Sequence, residues 1–190
     1  MHKNIIILAS GSGTNAEAIV NYFRANKYAD VQLIMSNRCD AFVLERARKL
    51  SIPAMCFSRA DLYETNLVLK RLEDENPRLI VLAGFLWLLP EKIVRRFPNG
   101  IVNIHPALLP KFGGKGMYGK RVHEAVITAG EKESGITIHY VNEKYDDGDI
   151  IFQERCPVLP NDTPETLAQR IHALEHRHYP EVIKKLLASL

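Results

Sequence analysis

Asn103-Ile104-His105-Pro106 sets an amide and an imidazole two residues apart. On a β-strand, side chains at that spacing project from one face, so Asn103 and His105 can converge on one reacting group. An amide donor and an imidazole aimed together suit an oxyanion forming at an acyl centre. A buried polar pair tied to neighbouring backbone fits the same spacing. Pro106 lacks an N–H, ends the ladder and holds the strand end in a turn. A second candidate, Gly11-Ser12-Gly13-Thr14-Asn15-Ala16, fits G-x-G-x-x-A between an apolar run and a helical one. Glycines let backbone approach an anion, and a helix N-terminus offers unpaired N–H groups and a positive dipole end. A dinucleotide site normally adds an acidic residue after its second strand. Here that region reads Ser36-Asn37-Arg38, which disfavours NAD and leaves NADP open.

Other chemistry-bearing residues have plainer readings. Asp146 sits with Asp147 and Asp149 around Gly148. A cation loop, a solvated turn and a base beside the histidine are all open, but the closing glutamate of a calcium loop is missing. The residues alone favour a solvated turn. His172-Ala173-Leu174-Glu175-His176 matches H-x-x-E-H on an expected helix, with both histidines on one face. Ile171 and Leu174 belong to that helix's buried stripe and no third ligand is indicated, so a chance match is expected and no metal site. His139 alternates with Thr137 on a strand, where packing is the plainer role and facing the site the alternative. His2, His123 and His178 carry no motif and default to surface or packing. Phe85 and Trp87, near a strand end, fit a pocket wall or simple packing.

The elements that must position these groups follow from hydrophobic spacing. Ile5–Ala9 is a short continuous apolar run, as expected for a strand buried on both faces. A helix over Ala16–Arg24 follows, then strand Val31–Met35, helix Phe42–Leu50, strand Ala54–Phe57 and one helix over Leu62–Glu75. Leu79–Ala83 and Ile101–Ile104 make further strands. This alternation predicts an α/β fold with a mainly parallel sheet covered by helices. Such sheets bind ligands at the carboxyl ends of their strands, where both Gly11–Asn15 and Asn103–Pro106 fall. Lys111–Lys120 contains Gly113, Gly114, Gly116 and Gly119, so it is expected to be mobile and able to close over a ligand. A helix at Val122–Ala129 and strands Gly135–Val141 and Ile150–Cys156 come next. Thr163 then caps a helix with Pro164 at its first position, and Pro180 starts or kinks a final helix through Leu187.

Bulk properties exclude several classes. The 190 residues fit one domain with a sizeable core, at 46% hydrophobic and 25% charged. No apolar run approaches the roughly 18–20 residues that span a bilayer, and Met1-His2-Lys3-Asn4 shows no signal-peptide pattern. A net charge of +3 does not demand a nucleic-acid partner, and Arg46-Ala47-Arg48-Lys49 reads as a solvated helix face. Cysteines 39, 56 and 156 are odd in number and scattered, which predicts neither a disulfide framework nor a zinc cluster. A reduced, cytoplasmic setting is expected.

With these residues gathered, the chain resembles the phosphoribosylglycinamide formyltransferase family, folate-dependent enzymes of purine synthesis. The matching segments are Ala9–Asn15, Ser36-Asn37-Arg38, Leu82-Ala83-Gly84-Phe85, Asn103–Pro110, Gly135–His139, Asp146-Asp147-Gly148 and Glu175-His176. They run in the family's order and cover nearly the whole chain. The resemblance implies a Rossmann-like twisted sheet with helices on both faces, of formyltransferase type. It implies a single formyltransferase domain over 1–190, with a phosphate-binding half at 1–100 and a catalytic and folate-binding half at 101–190. It also implies 10-formyltetrahydrofolate as co-substrate, 5-phosphoribosylglycinamide as acceptor, and no metal.

By that analogy Gly11, Ser12, Gly13, Thr14 and Asn15 hold the acceptor's phosphate, and Glu175 contacts its ribose or glycinamide part. Leu86, Trp87, Leu88 and Leu89, with Asn142, Glu143, Lys144 and Tyr145, hold the folate's pterin end. Asp146 moves from solvated turn to catalytic group beside Asn103 and His105, and is expected to raise the pKa of His105. Two positions depart from the family pattern: Trp87 stands where an arginine is expected, and Asp147 where a small residue is expected. Formyltransferases acting on methionyl-tRNA or sugar nucleotides share the trio but carry additional domains, for which this length leaves little room. A folate hydrolase and an NADP-binding regulator are the other rivals. Monomer and homodimer both stay open.

Overall fold

The computed structural model describes residues 3–189; Met1, His2 and Leu190, and with them the expectations for His2 and the N-terminal pattern, lie outside the described residues. The first half runs β1 (Asn4–Leu8), α1 (Thr14–Asn26), β2 (Asp30–Ser36), α2 (Phe42–Lys49) and β3 (Ala54–Cys56). It continues through α3 (Arg59–Tyr63), α4 (Leu67–Glu75), β4 (Leu79–Leu82), α5 (Glu91–Arg96) and β5 (Ile101–His105). The second half adds α6 (Lys120–Thr128), β6 (Glu133–Tyr140), β7 (Ile150–Pro157) and α7 (Pro164–Ser189). The strands form one sheet in the order β3-β2-β1-β4-β5-β6-β7. β1 to β5 are parallel, while β6 and β7 turn back antiparallel against β5.

The apolar run of β1 divides between the two faces of this sheet. Ile5 and Ile7 pack into the cluster with α1 and α7, whereas Ile6 and Leu8 pack into the cluster with α3, α4 and α5. All four are fully buried, each worth about 1.5–3 kcal/mol. Strand order reverses at the β1–β4 pair, so the segments leaving those strands diverge and open a crevice. The turn at residues 10–15 and the Gly84 segment flank it, joined by Ser10 N–H donating to the Gly84 carbonyl at 2.9 Å.

Three local expectations need correction, and one helix is new. The single helix over Leu62–Glu75 is two helices. Ser58 closes a capping box with Asp61 that starts α3, and the Thr65 hydroxyl accepts from Leu67 N–H at 3.2 Å where a continuous helix would run. α5, unforeseen, starts after Pro90 with Glu91 in its first turn and Arg95 and Arg96 in its last, which suits the helix dipole. α7 is one helix through Pro180, so that residue does not start a separate one. Tyr179 beside it is fully buried and its hydroxyl donates to the carbonyls of Leu82 (2.9 Å) and Val102 (3.3 Å), pinning the helix to the sheet where proline leaves a bond unmade. Finally, Cys39 and Cys56 form a disulfide. Parallel pairing sets Cys56 beside Ser36, and the chain turns just beyond, so cysteines 17 residues apart meet. Cys156 is a buried free thiol. Among the described residues, no helix is long and apolar enough to cross a membrane.

Candidate active site

A cavity of about 560 Å³ opens at the carboxyl ends of β1, β4 and β5, and both the glycine turn and the Asn103–Pro106 segment line it. At one wall, antiparallel pairing of β5 with β6 sets Asn103 opposite His139 and His105 opposite Thr137. The Asn103 amide Nδ2 accordingly donates to His139 Nε2 at 3.1 Å. His139 in turn donates from Nδ1 to the Tyr140 carbonyl at 2.8 Å, which leaves Nε2 as the acceptor. The other Asn103 hydrogen points to Asp146 Oδ1 at 3.4 Å. Asp146, in left-handed conformation at φ 52°, caps the wall. Its Oδ2 accepts from Gly114 N–H at 2.9 Å and lies 3.5 Å from His105 Nδ1. His105 Nε2 donates to the Phe112 carbonyl at 2.7 Å.

Electrostatics of the trio differ from the expectation in one respect. Asp146 does favour the charged imidazole, as does the Phe112 carbonyl. Burial outweighs both, and His105, 3% exposed, titrates below its usual range. Burial pushes the Asp146 carboxyl upward, but neighbouring His139, with Nε2 3.7 Å from Oδ1, the charge of His105 and the Gly114 N–H together hold it below the usual value. At neutral pH the pair is therefore a neutral imidazole facing a carboxylate.

The glycine turn is built for close approach. Gly13 sits at φ 76° as the residue before α1, and a Cβ there would fall 2.4 Å from Val43 Cγ2. No side chain caps the helix, so its first N–H groups face the cavity edge unclaimed by one. Thr14 and Asn15 follow, with Asn15 Nδ2 donating to Glu175 Oε2 at 3.0 Å. Glu175 is buried under α1, and burial raises its pKa from 4.5 to about 7 despite the Asn15 bond. Folding thus favours the protonated acid, so its contribution to stability is complete below pH 4.5 and is lost as pH rises through about 7. Glu175→Gln removes that titration. The unliganded variant is expected to match the parent near pH 4 and to exceed it by about 2–3 kcal/mol at pH 8, measured by denaturant unfolding. A variant equally or less stable at pH 8 than at pH 4, relative to the parent, would contradict the assignment.

The other residues expected at the site are distributed more widely. Leu86 and Tyr145 line the cavity. Leu89 is buried in the core, and Trp87 packs against Phe57 and Tyr63 with the Arg59 guanidinium 5.7 Å over its ring. Leu88 N–H donates to the Tyr145 hydroxyl at 3.1 Å, which ties the two segments together. Asn142 donates to Asp147 Oδ2 at 3.2 Å, and Lys144 Nζ lies 3.7 Å from the same atom. Asp147 is thus engaged outside the trio, and Glu143 is exposed. His172 lines the cavity and stacks on His176; among the described residues no group of three or more potential ligands could hold a metal ion.

Three features escaped the sequence reading. His123 is buried, lines the cavity with Nδ1 unpartnered, and is kept neutral by burial and by His172 and His105, its pKa lowered to about 4. Period-two spacing with Thr137 left the role of His139 open, and only the pairing of β5 with β6 decides it. The Phe112 carbonyl carries no side-chain signal at all.

A family model described as "Formyl transferase" matches residues 3–183. The chain belongs to the formyl transferase family. Within it, the chain is 38% identical to the phosphoribosylglycinamide formyltransferase of Bacillus subtilis, covering 97% of this chain and 95% of that protein. It is 41% identical to the chloroplastic phosphoribosylglycinamide formyltransferase of Arabidopsis thaliana over 95% of its length, but spans only 64% of that relative. It spans 14% of a trifunctional purine biosynthetic protein of Drosophila melanogaster. Among solved structures, glycinamide ribonucleotide transformylase 1 from Symbiobacterium toebii superposes with a TM-score of 0.90 at 37% identity, over 99% of this chain and 89% of that one. The fold of this family member is thus the Rossmann-like formyltransferase fold.

Proposed function

We propose that this protein transfers the formyl group of 10-formyltetrahydrofolate to the amine of 5-phosphoribosylglycinamide, a step of de novo purine synthesis, in the cytoplasm. One observation carries the reading: a single cavity is lined by a helix N-terminus without a side-chain cap and by an amide and an imidazole that each approach one carboxylate. Its volume falls within the roughly 300–1,000 Å³ of small-molecule sites. Asn15 Oδ1 and His123 Nδ1 are buried without partners among the lining residues, as expected where a ligand completes the bonding.

In this reading Gly11–Asn15 hold the acceptor's phosphate through backbone N–H groups, and Glu175 engages its ribose or glycinamide part. Leu86–Leu89 and Asn142–Tyr145 hold the pterin end. Residues 1–100 supply the phosphate half of a single domain and 101–190 the catalytic and folate half. The amine attacks the formyl carbon, whose carbonyl electrons move onto oxygen. Asn103 donates to that oxyanion. Neutral His105 takes the proton from the attacking nitrogen, held as imidazolium by Asp146, and returns it to N10 as the carbon–N10 bond breaks. Formyl transfer by this route uses no metal and no covalent enzyme intermediate. Because His105 Nε2 donates its proton to the Phe112 carbonyl, the Lys111–Lys120 segment must shift and the ring proton must move to Nδ1, against Asp146, before Nε2 can accept the proton of the amine.

The assignment of His105 as a base predicts a pH dependence. With both substrates saturating, kcat is expected to fall about tenfold per unit on the acid side, through a pKa below the ordinary histidine value of roughly 6.5. An acid limb centred above pH 7 would contradict a buried, depressed imidazole. The reaction itself is tested by following loss of the formyl group from 10-formyltetrahydrofolate with phosphoribosylglycinamide, water or methionyl-tRNA as acceptor. Turnover with phosphoribosylglycinamide alone is the expected result; turnover with water alone would replace the proposal with a hydrolase.

A further inference from the structure

The disulfide lies outside the cavity, and the formyl-transfer chemistry makes no use of it. β3 is an edge strand, and the register Ser36 with Cys56 continues as Phe57 N–H donating to the Ser36 carbonyl at 2.9 Å. The chain leaving β2 turns over residues 37–41, where Ala41 N–H donates to the Arg38 carbonyl at 3.1 Å. Cys39 sits on this turn, exposed, with its Cα 5.3 Å from that of half-buried Cys56. The bond therefore ties the turn between β2 and α2 to the end of the edge strand.

That turn supports the glycine-rich segment. Asn37 Oδ1 accepts from Ser10 Oγ at 2.6 Å, and Ser10 Oγ accepts from Leu86 N–H at 2.9 Å. α2 begins immediately beyond the turn. Its Val43 N–H donates to the Gly11 carbonyl at 3.0 Å, and Arg46 Nε donates to the Ser12 carbonyl at 2.8 Å. Arg46 also pairs with Glu17 on α1. The Val43 side chain fills the space under Gly13. One end of α2 thus forms the shelf on which residues 11–13 rest, and Cys39 stands four residues before that shelf.

We propose that Cys39 and Cys56 form a reversible thiol–disulfide exchange site whose bond holds the α2 shelf, and with it the Gly11–Asn15 turn, in place. The partner is a small thiol or its disulfide. In reduction, a thiolate attacks the sulfur of exposed Cys39, Cys56 departs as thiolate, and a second external thiolate displaces Cys39 while an external disulfide forms. Oxidation is the reverse, with the external disulfide reduced to two thiols. Exposure of Cys39 and half-burial of Cys56 set the order of attack. The consequence for acceptor binding rests on the proposed function above, whereas the exchange and the tether do not.

The test uses the full chain equilibrated in reduced or oxidised glutathione, with thiols trapped by alkylation and mapped by mass spectrometry. Oxidised glutathione should yield the Cys39–Cys56 crosslink with Cys156 left as thiol, and Cys56→Ser should accumulate glutathione on Cys39. Hydrogen exchange of the amides of residues 11–16 and 43–46 is expected to be roughly tenfold faster in the reduced protein, with β4 and β5 unchanged. Cys39→Ser should behave as the reduced form in both buffers. Failure of the crosslink to form overturns the exchange site, and equal exchange rates in both states overturn the tether. Neither readout involves formyl transfer, so an inactive protein would refute the proposed function and leave this result standing. If the activity is present, the KM for the acceptor should rise on reduction with kcat little changed.

Discussion

Asn103→Ala is expected to lower kcat about 100- to 1,000-fold with the fold intact. The residue is half-buried on β5, and its Nδ2 donates to both His139 and Asp146. Both amide hydrogens are engaged before substrate arrives, and the 3.4 Å contact to Asp146 is the longer and the easier to surrender to a developing oxyanion. Alanine removes that donor. His105→Ala deletes the proton carrier, and Asp146→Asn leaves the carrier without the charge that holds its protonated form, so each is expected to lose most of its activity. Circular dichroism and thermal melting should stay close to the parent, because none of the three belongs to the apolar clusters. Near-full turnover in any of them, with both substrates saturating, would remove that residue from the mechanism.

Gly148→Ala should damage activity and stability together, although residue 148 bears no functional group. A Cβ at this position would lie 1.8 Å from the Tyr140 carbonyl oxygen, a backbone atom that cannot rotate away. The same carbonyl accepts from His139 Nδ1, and His139 Nε2 accepts from Asn103. Moving it shifts the histidine that orients the amide, and displaces the loop carrying Asp146 two residues away. Stability is expected to fall by about 3 kcal/mol, or roughly 6–12 °C in Tm. Misplacement of the trio by about 1 Å should cost kcat roughly 100-fold. Thermal melting and steady-state kinetics on the same preparation check both, and a variant with unchanged Tm would show that the loop can yield without strain.

The two variants differ in how far sequence could foresee them. Asn103 and His105 share a face because strand geometry repeats every two residues, a relation contained in three consecutive letters. β1 was equally legible: a run buried on both sides has nowhere to sit but the middle of a covered sheet. Helix boundaries were less so. Thr65 and Pro180 act through competition between local hydrogen bonds and packing, and the balance lies with partners such as Leu82 and Val102, about 80–100 residues from Tyr179 in the chain.

What the sequence determined by itself was therefore local chemistry: an amide and an imidazole on one strand face, and a glycine turn leading into a helix. The tertiary structure decided everything that depends on what stands across from a residue. Burial, which is a property of the assembled layers, leaves His105 neutral where a neighbouring carboxylate alone would have charged it. Pairing of β5 with β6 turned His139 into the partner of Asn103, and packing of α6 and α7 brought His123 and Glu175 to the cavity. Parallel register joined Cys39 to Cys56, a contact invisible to spacing because the register of neighbouring strands is set by the whole sheet.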